Sequence, residues 1–182
     1  GVRHQLHFWE GDPLRCRADR PDLCLTDDFQ RAVGLLKYYG MTFELQGFSH
    51  QFVHFAELAR DHPETNFCLV HGGMLTSDDD ATVDAWKAGL EHLVPLPNVW
   101  IKCSGLNFFT NSCDIDHMRI MLDHVLDRFG AERCFYGSNF PLEKLWARYD
   151  DLVGACKQIL APRPEADQRA FFHDTAAGFY RV

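Results

Sequence analysis

Five short apolar runs recur along the chain, and each is followed by a stretch with helical spacing. They are residues 2–8 (VRHQLHF), 42–46 (TFELQ), 67–71 (FCLVH), 99–104 (VWIKCS) and 134–139 (CFYGSN). Between them, Phe29, Ala32, Val33 and Leu36 recur at helical period, as do Phe52, Phe55, Ala56 and Ala59; Val83, Trp86, Leu90 and Leu93; Ile115, Met118, Leu122, Val125 and Phe129; and finally Leu145, Leu152, Val153, Cys156 and Ile159. Apolar stripes at this spacing predict amphipathic helices. Asp27 or Asp28, Ser49 or His50, Asp79 or Asp80, and Asp114 stand where a capping residue is needed. Strict strand–helix alternation predicts right-handed βα units on a parallel sheet. No repeat, low-complexity stretch or linker divides the 182 residues, so the chain reads as a single domain. Residues 10–22 are too long for an ordinary strand-to-helix turn and are expected to cover a site.

Charge and cysteine content remove several function classes. A formal net charge of −8 with no Lys/Arg cluster argues against nucleic acid, which needs a basic stripe. No apolar run approaches the ~20 residues that span a bilayer, so no membrane association is expected. Seven cysteines form no C-x-x-C pair. Cys68, Cys103 and Cys134 lie in strand-like runs and read as buried small hydrophobes in a reducing cytoplasm. The chain begins Gly1-Val2-Arg3, already strand-like, with neither a signal peptide nor an initiator Met; the expectation is a fragment or a processed product.

In a parallel barrel, chemistry gathers at the C-terminal ends of the strands. Period-2 alternation groups Arg3, Gln5 and His7 on one face of the first run, Glu44 and Gln46 in the second, and Trp100, Lys102 and Ser104 in the fourth; the third ends in His71 and the fifth in Asn139. Each has a bland alternative. His71 can be a satisfied core histidine, Lys102 can pair with Glu44, Asn139 can brace the turn before Pro141, and Arg3 can lie on a solvated rim. So many polar residues at strand ends nevertheless favour a small-molecule site, because burying them unpaired is costly. His50 is placed near its mouth, with His54 and His62 on the surface.

The motifs HGGM (from His71), KCSGL (from Lys102), RCFYGSNFP (from Arg133) and the ending FHDTAAGFYR (from Phe172) resemble the amidohydrolase-2 family, and within it the lactonase-like hydrolases. The resemblance implies an incomplete (β/α)8 TIM barrel holding strands four to eight, three βα units short of the ~250 residues of a typical barrel. The H-x-H metal-ligand pair of the family's first strand is absent, and Asn139 stands where many members carry an aspartate that acts as base or metal ligand. A divalent metal, zinc or manganese, is then expected only in a complete barrel, with His71 as its sole ligand here.

These readings converge on a hydrolase that opens a small lactone or related cyclic ester. The expected catalytic residues are His71, His7 and Asn139; Arg3, Gln46, His50, Lys102 and Ser104 are expected to bind substrate. Two alternatives stay open: a barrel-related decarboxylase, and a non-catalytic remnant that self-associates through its exposed strand edges.

Overall fold

A computed structural model describes all residues, Gly1–Val182. Five parallel strands form one sheet in chain order: β1 (Val2–Gln5), β2 (Phe43–Gln46), β3 (Phe67–Leu69), β4 (Val99–Cys103) and β5 (Cys134–Tyr136). The helices between them are α1 (Asp27–Gly34), α2 (Phe52–Asp61), α3 (Asp80–Leu90) and α4 (Ile115–Phe129), followed by α5 (Tyr149–Leu160), α6 (Glu165–Arg169) and α7 (Thr175–Tyr180). The strands lie within the five apolar runs; β2 reaches the end of its run at Gln46, and the other four stop one to three residues short. No helix is long and apolar enough to cross a membrane.

Alternation divides the sheet into two chemistries. Phe43, Leu45, Phe67, Leu69, Val99 and Ile101 face the helices and join Phe52, Phe55, Trp86, Leu122 and Phe129 in the main core. The register Arg3↔Glu44, Glu44↔Cys68, Cys68↔Trp100 and Lys102↔Phe135 puts the mixed polar and aromatic set on the other face. In β4 this shows as buried Val99, Ile101 and Cys103 alternating with half-buried Trp100 and Lys102. All four residues of β1, at the sheet edge, are exposed.

Two of the expected caps form. Asp79 accepts from the Thr82 N–H and Asp114 from those of Asp116 and His117. The other expectations shift. Thr26 precedes α1 without a side-chain cap, so Asp27 and Asp28 act only as first-turn charges against the helix dipole. A 3-10 turn, Ser49–Gln51, leads into α2. Leu145 lies in a separate, exposed turn before α5.

The segment 165–180, for which helical spacing gave no expectation, becomes a floor. Thr175 Oγ1 donates to Ala131 O at 2.8 Å, just before β5, and Arg181 donates to Gly40 O, just before β2. α7 therefore crosses the N-terminal ends of the strands. Phe179 packs its ring 5.4 Å from Trp100 and 5.5 Å from Phe135 on the inner face.

Gln51 fixes how the chain leaves the sheet. Its Oε1 accepts from the backbone N–H groups of Phe8 and Phe48, and its Nε2 donates to Leu6 O and Pro21 O, all with the side chain fully buried. Gln51→Leu strands four backbone groups and should cost at least about 4 kcal/mol in urea unfolding, since each buried group left unpaired costs about 1–3 kcal/mol. A loss below half of that would mean water or relaxation replaces the staple.

Candidate active site

Two cavities open over the inner face, of about 490 and 360 Å³. Arg3, His71 and Asn139 line both. His7 and Gln46 line the upper one, and Lys102, Ser104 and Tyr180 the lower.

His71 gets there against the strand period. Counting by twos from Leu69, which faces the helices, would turn His71 outward as well. Instead His71, Gly72, Gly73 and Met74 all adopt left-handed backbone, at φ 59°, 57°, 80° and 55°. Two of these four lack the glycine that makes such geometry easy, so the turn needs outside support. Trp86 of α3 supplies it, donating from Nε1 to Gly72 O at 2.9 Å. The His71 ring then faces the cleft with Nδ1 against Ser104, 3.1 Å from its carbonyl oxygen and 3.2 Å from its hydroxyl. A carbonyl only accepts, so Nδ1 carries the proton and Nε2 offers a lone pair. Burial pulls the His71 pKa down to about 4; the charges of Arg3 and Lys102 add to this, against the Ser104 carbonyl and Glu44.

Asn139, also left-handed at φ 54°, enters from the far side. Gly105 lets the two meet: a Cβ there would lie 2.8 Å from both His71 Nδ1 and Asn139 Nδ2. Asn139 Nδ2 donates to Glu143 Oε1 at 3.1 Å, and Trp146 Nε1 donates to Glu143 Oε2 at 2.7 Å. Glu143 is 1% exposed and has no cationic partner, so it holds the Asn139 amide in one orientation and leaves its Oδ1 and second N–H for the cleft.

Below them a charge network engages two of the expected substrate-binding residues. Lys102 does not extend freely toward a substrate: its Nζ donates to Glu44 Oε1 at 3.2 Å and to the Tyr180 hydroxyl at 3.0 Å. Arg3 binds the other Glu44 oxygen through Nε and Nη2, which leaves only Nη1 without a protein partner. Tyr180 also donates to Glu44. Burial pushes the Glu44 carboxyl up, but Tyr180, Lys102 and Arg3 together outweigh it and hold it below its ordinary value.

The remaining expected residues separate. Gln46 and His7 are each 8% exposed, and Gln46 Oε1 and His7 Nδ1 have no hydrogen-bond partner. Ser104 is 3% exposed and spends its contacts on His71 rather than on the cleft. His50 lies outside. It is exposed, bonded through Nε2 to Phe8 O at 2.9 Å, and stacked on Phe48 behind the wall, because the Ser49–Gln51 turn rotates it away from the mouth. Sequence reasoning also missed residues the site uses. Glu143 and Tyr180 lie outside the strand runs, and Arg15, Arg17, Phe108 and Phe109 line the cleft from loops, where no periodicity marks them.

No group of three or more His, Cys, Asp or Glu side chains is placed to hold a metal ion. His71 Nε2 is one donor, and the Asn139 amide is a poor second, so the residues of this chain do not complete a metal site.

The histidine carries a pH signature. The unfolded chain takes up the His71 proton near the ordinary 6.5, while the folded chain resists until about 4. Stability is then complete above about pH 6.5 and drains as pH falls toward 4. Glu44, held low in the fold, adds its loss as pH falls through the carboxylate range. Urea midpoints should fall across that window, and less so in His71→Asn. An NMR titration placing His71 near 6.5 would contradict this burial.

The amidohydrolase family pattern covers residues 1–182. An uncharacterized protein of Sinorhizobium fredii, y4mH, is 31% identical over the whole chain, which covers 61% of it. An L-fucono-1,5-lactonase of Burkholderia multivorans is 30% identical, with 62% of it covered. The crystal structure of an amidohydrolase from Burkholderia multivorans with bound zinc superposes with a TM-score of 0.88 at 27% identity, over all of this chain and 64% of that one. The chain thus spans under two thirds of the relatives it matches, and with its whole length inside the family pattern it belongs to the amidohydrolase family.

Proposed function

We propose that the chain supplies strands four to eight of an eight-stranded barrel whose site hydrolyses a lactone or similar cyclic ester. The observation that carries this reading is the meeting of His71 and Asn139, both forced into left-handed backbone, over a cleft whose walls hold the unpartnered polar atoms of His7 and Gln46. The lactonase relative agrees in kind. In this mechanism His71 Nε2 takes a proton from the attacking water. The Ser104 carbonyl stabilises the imidazolium through Nδ1–H, and the ring then returns the proton to the leaving alkoxide. The second Asn139 N–H and Arg3 Nη1 face the developing oxyanion. His7 and Gln46 bind ring oxygens or hydroxyls. Burial keeps His71 unprotonated at neutral pH, free to accept a proton but a weaker base than an ordinary imidazole.

The test is lactone hydrolysis by the complete barrel. His71→Ala should lower kcat by roughly 10²–10⁴-fold, the usual worth of a proton-transfer group. Asn139→Ala should cost on the order of 10²–10³-fold, as for the loss of an oxyanion donor. Asn139→Asp should not rescue activity, because its carboxylate would stand about 3.1 Å from that of Glu143 and one of the pair would stay protonated. Full activity in His71→Ala removes the mechanism. A gain in Asn139→Asp removes the role given to the amide.

A further inference from the structure

The charge of the cleft is at odds with that of the chain. Of 182 residues 26 are Asp or Glu and the net charge is −8, yet not one acidic side chain lines either cavity. The cations that do are Arg3, Arg15 and Arg17 above and Lys102 below. Two are only partly neutralised: Arg3 and Lys102 share the single carboxylate of Glu44. Arg15 pairs with Asp12 at 3.3 Å and lies over the Trp9 and Phe109 rings. Arg17 has no carboxylate partner and donates only to the carbonyl of its neighbour Cys16.

Arg17 is held in place by its backbone. Its N–H donates to His7 O at 2.9 Å, and the segment before it is pinned by Cys16, whose thiol contacts both the Trp9 and Asp12 carbonyls. Arg17 and His7 line the same cavity, and after burial the Arg17 charge lowers the His7 pKa. His7 is itself 8% exposed with Nδ1 unpartnered, and Gln46 beside it has a bare Oε1. Arg17, His7 and the free Nη1 of Arg3 thus leave a cleft with excess positive charge, buried polar atoms awaiting partners and no competing anion.

From this we infer that the substrate carries a carboxylate, with Arg17 at the cleft mouth as its counter-ion. The inference rests on the lactone reading and narrows it to an acidic lactone, in place of the uncharged ring in the name of the Burkholderia relative. A guanidinium suits a carboxylate because its planar N–H fork meets both oxygens at once. A cleft with low-dielectric walls concentrates its field on an incoming anion.

Two measurements separate this inference from the reading beneath it. Hydrolysis of hydroxyglutarate γ-lactone, which bears a ring carboxylate, is compared with that of γ-valerolactone, which has a methyl group in its place. Binding of glutarate is measured by calorimetry. The acidic lactone should be preferred in kcat/KM by about tenfold or more, the worth of one charge-assisted hydrogen bond. Arg17→Gln should collapse that preference and weaken glutarate binding by a similar factor, while Arg17→Lys should retain part of both. Glutarate binding that depends on Arg17 without turnover of either lactone would support the anion site and sink the hydrolysis reading. Preference for γ-valerolactone, or glutarate binding indifferent to Arg17→Gln, would overturn the inference and leave the hydrolysis reading standing.

Discussion

The Glu44 carboxylate is the charge around which the inner face is arranged. It is bound by Arg3 from β1, Lys102 from β4 and Tyr180 from α7, so one side chain on β2 ties an edge strand, the far half of the sheet and the C-terminal floor together. A buried carboxylate is tolerable only with its partners in place, and removing one leaves an uncompensated charge. The same network sets the chemistry above it. Glu44 neutralises only part of the charge of Lys102 and Arg3, and the cationic excess that remains helps keep His71 unprotonated.

Above this floor the site is assembled from backbone the strands cannot provide. β3 ends at Leu69 and β5 at Tyr136, and the two residues that meet over the cleft stand two or three positions further on, in left-handed conformation. The strain is sustained by buried supports: Trp86 on the Gly72 carbonyl, Glu143 on the Asn139 amide, and the bare Cα of Gly105 between them. Preorganisation of this kind suits a reaction in which charge develops on a carbonyl oxygen, since the donors are aimed before the substrate arrives.

The order of the βα units was legible because apolar periodicity is written at every strand and helix. The inner-face set of Arg3, Glu44, Gln46, Trp100 and Lys102 was legible too, since alternation within a strand follows from backbone geometry alone. Alternation fails at His71, where the left-handed turn reverses the side chain, and at His50, where nearness in sequence to a strand end did not mean nearness to the cleft. The pairing of Lys102 with Glu44 was an open alternative that only the register could decide. Arg17, Glu143 and Tyr180 could not be read out. The first two sit in loops or short turns whose shape depends on distant contacts, and Tyr180 reaches Glu44 across 136 positions of sequence.

The most direct test of the account is a crystal structure of the complete barrel with a δ-lactam, a ring that mimics the lactone but resists hydrolysis. The account predicts the lactam carbonyl between His71 Nε2 and the Asn139 amide, above Arg3, with Glu44 still bridging Arg3, Lys102 and Tyr180. A lactam seated elsewhere, or a His71 ring turned so that Nε2 faces Ser104, would contradict it.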